Sequence, residues 1–176
     1  MRIYAVLSGI NGLIVRVGTR GELFQGACAV AVEQGGFGIT WIGTYDQATA
    51  DVIPVAWAGI GADSIAAGRT TSRDDVPEGQ GTLGRAIREK RSIYDNDITC
   101  NPGVGSSRRQ EALRRGYRSV MAMPLLVDNE VVAIMALFAE ERDFFNDEEI
   151  KLLNELAGDL SFALDHIAKQ ERLDYL

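Results

Sequence analysis

The stretch "YRSVMAMPLLVDNEVVAIMALFAE", residues 117–140, constrains the chain more than any other. Two extended runs flank Asp128-Asn129, a dipeptide that tolerates positive φ, so the spacing predicts a β-hairpin with its tip there. In the second run Val131, Ala133, Met135 and Leu137 alternate with Val132, Ile134, Ala136 and Phe138, so both faces are apolar. An antiparallel sheet with a wet face would alternate apolar with polar, whereas this one must be covered on both sides. The rest of the chain therefore has to supply two covers, and 176 residues are enough to do so within one domain, residues 1–176.

Candidates for the first cover lie at the termini. "RIYAVLSGINGLIVRV" places Ile3, Val6, Leu7, Ile10, Leu13, Ile14 and Val17 at helical spacing, giving a helix over about 2–18. Thr19 and Glu22 form a capping box for a second helix, "ELFQGACAVAVEQ", which buries Leu23, Phe24, Ala27, Cys28, Val30 and Ala31 and stops at Gly35-Gly36. These two helices are expected to pack together. Asn146 and Glu149 cap a last helix over about 147–174, with Ile150, Ala157 and Leu164 at one heptad position and Leu153, Leu160 and Ile167 at another. It reaches the C-terminus without a stop signal, so the chain is expected to be part of a longer protein. Ile3, Ile10, Leu153, Leu160 and Ile167 are expected to stay exposed in an isolated protomer and to mark a homodimer interface.

A first hairpin pairs "FGITWIGTYD", Phe37 to Asp46, with "DVIPVAWAG" through a turn at Gln47 to Ala50. Between the hairpins come a helix from Thr82 to about Lys90, a short strand "SIYD", the loop "NDITCNPGVGS" and a helix "RRQEALRRG", capped by Ser107 with Gln110 and ended at Gly116. This segment is the candidate second cover.

Several function classes are excluded. Gly79, Gly81 and Gly84 fit G-x-G-x-x-G, but the polar "AGRTTSRDDVPE" upstream is no buried parallel strand, so the dinucleotide-binding reading fails and the glycines shape a tight loop that opens a helix. A net charge of −7 with scattered Lys and Arg leaves no basic stripe for nucleic acid, and "SRRQEALRRG" reads as a solvated helix face. There is no apolar run of bilayer length and no signal peptide, so no membrane contact and a cytoplasmic location are expected. Cys28 and Cys100 are far apart and outside any C-x-x-C pair, and His166 is the sole histidine. No disulfide framework, metal cluster, histidine relay, cofactor or catalytic residue is therefore expected.

The order helix, helix, hairpin, glycine-opened helix, short strand, helix, hairpin, long helix resembles the GAF domain, a small-molecule sensor module of bacterial signalling proteins. "GFGITWIGTYD", "PEGQGTLGRAIREKRSIYDND" and "GYRSVMAMPLLVDNEVVAIMALFAEERDFFNDEEIKLLNELAGDLSFAL" carry the resemblance over almost the whole chain. It implies an α+β, profilin-like fold: an antiparallel sheet of five to six strands, with the terminal helices on one face and pocket-forming helices and loops on the other. It also implies a regulatory role, with an unknown small molecule sensed and the signal relayed through the terminal helices to a kinase, cyclase or transcriptional regulator. Free methionine sulfoxide reductases resemble this fold too, but they need a thiolate and a resolving thiol. Cys100 lies in the roof loop without a second roof cysteine, so no enzyme activity is expected. Bilin attachment beside a histidine fails at Cys100-Asn101, and "FFNDEE" matches only the tail of a cyclic-nucleotide signature. An enzyme of the free methionine sulfoxide reductase type and a ligand-free dimerisation module are the alternatives.

Within the implied pocket, Trp41, Trp57, Tyr94, Tyr117 and Met121 are the candidate apolar walls, with Tyr45 and Leu83 beside them. Asp95 and Asp97 are candidate acceptors, and Arg118 is the candidate partner for an acid group. The helix beginning near Thr82 is expected to aim its free N–H groups at the pocket or its rim, which favours an anionic or carbonyl-bearing ligand.

Overall fold

The computed structural model describes residues 2–68, 70–100 and 107–175. Six antiparallel strands form one sheet in the order β3-β2-β1-β6-β5-β4. They are β1 (Ile39–Asp46), β2 (Asp51–Ala58), β3 (Thr70–Thr71), β4 (Ile93–Asp95), β5 (Ser119–Val127) and β6 (Glu130–Ala139). The helices are α1 (Arg2–Arg16), α2 (Arg20–Gly35), α3 (Ala62–Ala66), α4 (Thr82–Glu89), α5 (Ser107–Arg114) and α6 (Asp147–Tyr175), and a 3-10 turn at Pro77–Gly79 precedes α4. The fold is the α+β arrangement expected. The first strand starts two residues later than expected, at Ile39 rather than Phe37, and α3, β3 and the 3-10 turn carry no periodic signal strong enough to announce them.

Local sequence chemistry fixes the element ends. The Thr19 hydroxyl accepts the Glu22 N–H at 3.2 Å, and Asn146 Oδ1 accepts the Glu149 N–H at 2.9 Å, each satisfying a first-turn donor. Gly36 closes α2 in the left-handed region at φ 70, its N–H bonded to Val32 O. Asp128 and Asn129 have φ of 53 and 64, which is the pair of positive values a two-residue hairpin tip requires. The Ser107 side chain and residues 101–106, on which the expected cap and part of the roof loop fall, lie outside what is described.

Each face of the sheet has its own core. On one, Met121, Met123, Leu125, Ala133, Met135 and Leu137 pack with Val6, Ile10 and Leu13 of α1, Phe24 and Cys28 of α2, and Leu153, Leu156, Leu160 and Leu164 of α6. On the other, Ile39, Trp41, Val120, Ala122, Ile134, Ala136 and Phe138 meet Ile65 of α3, Ala86 and Ile87 of α4, and Ala112 of α5. The strict alternation expected for β6 holds from Ala133 to Phe138 but fails at its start, because the register shifts between Leu125 and Leu126. That bulge leaves Val131 on the α4 side and Val132 against the α6 side, the reverse of what simple parity gives.

The expected exposed stripe is also corrected. Ile3, Ile10, Leu153, Leu160 and Ile167 are all buried within the protomer, because α1, α2 and α6 fold their apolar faces onto the sheet and onto each other. The large apolar side chains that α1 and α6 expose are instead Tyr4, Val15, Phe162 and Leu173.

Candidate functional site

The glycines of G-Q-G-T-L-G serve backbone packing. A Cβ on Gly79 would lie 1.6 Å from the Arg73 carbonyl oxygen, and one on Gly84 would lie 2.1 Å from that of Gly79. The 3-10 turn and the first turn of α4 touch main chain to main chain, an approach only glycine permits. Gly81 is the N-cap and supplies no side-chain acceptor, and the first bonded amide is Arg85, to Gly81 O at 3.2 Å. The preceding amides therefore present unsatisfied donors, and the positive end of the helix dipole, to whatever faces that end.

What faces it is a cavity of about 40 Å³ between α4 and the sheet, lined by Thr70, Glu78, Gly81, Thr82, Leu83, Ile98, Arg108, Arg109, Val120 and Phe138. A recess of about 230 Å³, lined by Gln80, Arg85, Ile93, Tyr94 and Asp95, shares Gly81, Thr82 and Arg109 with it. The two form an inner and an outer compartment around the start of α4. The inner one holds room for only a few waters, so a larger ligand occupies both.

Two adjacent arginines of α5 bring positive charge to the site. Arg108 is buried, its guanidinium 4.5 Å from the centre of the Trp41 ring. Its Nε donates to Ile65 O at 2.6 Å and its Nη2 to Ala66 O at 3.3 Å, with further bonds to Gly68 O and Thr70 Oγ1. Burial pulls its pKa down to about 10. It bolts α3 and β3 to α5, which sets the height of the roof. Arg109 donates through Nη2 to Asp95 Oδ2 at 2.8 Å and to Ile98 O at 3.2 Å. Its side chain is 11% exposed, and its Nε is buried with no hydrogen-bond partner among the described residues. An unsatisfied buried donor on a charged group is costly unless a ligand or water completes it.

Of the residues expected at the site, Leu83 lines the inner compartment, and Tyr94 and Asp95 line the outer one. Trp41 is fully buried beneath Arg108 and acts as the floor under that guanidinium. The other expected residues lie elsewhere. Met121 points to the opposite face, among the α6 contacts, because β5 sends Val120 and Ala122 to the roof. Arg118 donates to the carbonyls of Tyr117 at 2.8 Å and Leu113 at 3.3 Å, so it ties off the end of α5, and the arginine that lines both compartments is Arg109. Asp97 accepts from the Thr99 amide at 3.0 Å and from the Thr99 hydroxyl, and stands 3.4 Å from Arg142, which makes it a turn-forming group outside both compartments. Tyr45 lies in a separate recess, its hydroxyl 2.7 Å from Ser72 Oγ. Tyr117 lines another at the far end of the sheet with Phe37, Ile60 and Glu140, and Trp57 is 43% exposed on β2. Thr70, Glu78, Thr82, Ile98, Arg108, Arg109, Val120 and Phe138 were not anticipated. The usable signal for the arginines was that Ala112 and Leu113, apolar in an otherwise polar helix, stand four residues after them on the same face.

The thiols bear on redox chemistry. Cys28 is buried in the α1–α2–α6 core, and burial pushes its pKa up to about 12. Cys100 is exposed, and the negative charge of Asp97 together with a hydrogen bond to it raises the thiol pKa. Neither environment favours the thiolate. Among the described residues no group of three or more His, Cys, Asp or Glu side chains is gathered to hold a metal ion, and no helix is long and apolar enough to cross a membrane.

No curated protein sequence matches the chain. Solved structures do. The GAF domain of a phosphoenolpyruvate-protein phosphotransferase from Coxiella burnetii superposes with a TM-score of 0.77 at 16% identity, covering 98% of this chain and 98% of that one. A free methionine-R-sulfoxide reductase from Neisseria meningitidis, solved in complex with its substrate, superposes with a TM-score of 0.75 at 18% identity, covering 96% and 91%. At such identities the likeness is one of fold. The sequence model of the GAF domain matches residues 19–165, from the cap of α2 to the middle of α6, and the chain belongs to the GAF domain family.

Proposed function

We propose that this protein is a non-catalytic sensory GAF domain that binds a small organic molecule around the N-terminus of α4 and relays occupancy through α1 and α6 to an output domain. The observation that carries this reading is the buried Arg109 Nε, without a partner among the described residues, beside the uncapped start of α4 in a cavity whose apolar wall is Leu83, Ile98, Val120 and Phe138. A packed structural core has no use for such donors. A binding site does, since convergent polar groups in an apolar hollow are what fix a ligand's orientation. A negative or carbonyl-bearing group suits them. Occupancy is felt by the roof because Arg109 and Arg108 are neighbours on α5, and Arg108 holds α3 and β3. The exposed Tyr4, Val15, Phe162 and Leu173 of the terminal helices supply the surface for a homodimer or for the output domain.

The rival reading, a free methionine sulfoxide reductase, has the fold likeness in its favour and the thiols against it: Cys28 is enclosed in the other core, and Cys100 sits beside a carboxylate that opposes its ionisation. Two measurements test the proposal together. A thermal-shift screen of small carboxylates and carbonyl compounds is expected to find one that raises Tm, since a ligand at a hundred times its Kd adds about 2.7 kcal/mol, and Arg109→Met is expected to abolish the shift. Incubation with free methionine sulfoxide and a dithiol is expected to give no turnover. Turnover lost in Cys100→Ser would replace this reading with the enzymatic one.

A further inference from the structure

The inner compartment holds opposite charges. Glu78, on the 3-10 turn before α4, lines it together with Arg109, and its carboxylate makes no hydrogen bond or ion pair among the described residues. Thr82, 8% exposed, lines both compartments and its hydroxyl likewise has no partner among the described residues. One small, largely apolar hollow thus contains donors without acceptors, at Arg109 Nε, the Thr82 hydroxyl and the first amides of α4, and an acceptor without a donor, at Glu78. A simple anion would satisfy the donors but bring its charge against the half-buried Glu78, and like charges placed close together repel. A simple cation would meet Glu78 but also face Arg109 and the positive end of the helix.

We propose that the ligand is a small zwitterion of the α-amino acid class with a short apolar side chain, its carboxylate at the start of α4 and Arg109 and its ammonium at Glu78. This rests on the reading of the cavity as a ligand site and adds the ligand's class. The charges of an α-amino acid are separated by one carbon, so both groups are met at a single point, the turn from Glu78 to Thr82. The side chain then lies along Leu83, Ile98, Val120 and Phe138, which have no polar atom for a second charged group. Against that wall an apolar side chain is favoured over a charged one.

Calorimetric titration of the whole chain with the common L-amino acids tests this. For the tightest binder, the desamino acid and the decarboxylated amine of the same skeleton are titrated as well. An apolar amino acid is expected to bind best, with both analogues weaker by about tenfold or more. Glu78→Gln is expected to weaken the amino acid by a similar factor while leaving the desamino acid unchanged or tighter. Arg109→Lys, which keeps the charge and removes Nε, is expected to weaken the amino acid and the desamino acid alike. If the desamino acid equals the amino acid and Glu78→Gln changes neither, the zwitterion is refuted while the site stands. If no amino acid binds but a simple carboxylate does, in an Arg109-dependent way, the outcome is the same. If no amino acid or carboxylate binds at all, this proposal and the ligand reading fall together.

Discussion

The face of the sheet under α1, α2 and α6 and the face under α3, α4 and α5 are fed by the same strands, yet they treat polarity in opposite ways. On the first, β5 and β6 send Met121, Met123, Leu125, Met135 and Leu137 into leucines of α6, and among the described residues no charged side chain is buried there. On the second, the same two strands send Val120, Ala122, Ile134 and Phe138 toward a roof that includes Arg108, Arg109, Thr70 and Thr82 and leaves a cavity among them. One cover is a close-packed seal and the other a frame around directional groups. Under the proposed function, stability and recognition are divided between the two faces of one sheet, and a residue's parity along β5 decides which face it joins.

Substitutions should reveal that division. Leu160→Ala empties space in the sealed face and is expected to cost about 3–4 kcal/mol in urea unfolding, whereas Leu83→Ala, at an already hollow place, is expected to cost about 1 kcal/mol or less. Equal losses would abolish the distinction between the covers. Arg108→Met tests whether the roof is held by a polar bolt: it strands the carbonyls of Ile65, Ala66 and Gly68 and is expected to cost about 2–3 kcal/mol. A neutral result would mean that α3 and α5 are held by apolar contact alone, as on the other face.

Near neutral pH the smallest effect is a pH dependence. Burial raises the pKa of the Cys28 thiol to about 12 in the folded chain, from an ordinary value of 9.0. An unfolded chain loses that proton first as pH rises, so the contribution of Cys28 is complete below pH 9 and declines toward pH 12, by about 1 kcal/mol over the first unit. Cys28→Ala is expected to flatten that alkaline slope. The same native protein at pH 8 should be alkylated at Cys100 and spared at Cys28, and labelling of both would show that the sealed face opens.

The parts of the molecule legible in the sequence are those whose physics is local. The Thr19 and Asn146 caps, the Gly36 stop and the Asp128-Asn129 tip each depend on a few neighbouring residues, and each is found where the sequence put it. The site depends on register, which is not local. Met121 and Val120 are equally apolar, and only the pairing of Met121 with Leu137 decides that Met121 turns to α6. Arg108 and Arg109 lie in a helix whose composition reads as solvated, and their burial follows from how α5 docks, a tertiary fact. Arg118, an equally plausible cation on sequence grounds, is spent on carbonyls nearby.

The two tryptophans of the chain occupy unlike surroundings: Trp57 is 43% exposed, and Trp41 is enclosed beneath the Arg108 guanidinium, its indole N–H without a partner among the described residues. Indole emission is sensitive to a nearby charge. The protein therefore carries its own optical gauge of the roof: with Trp57 silenced by an aqueous quencher, the remaining fluorescence follows the distance between one buried ring and the cation above it, and hence any movement of α5 that a bound molecule provokes.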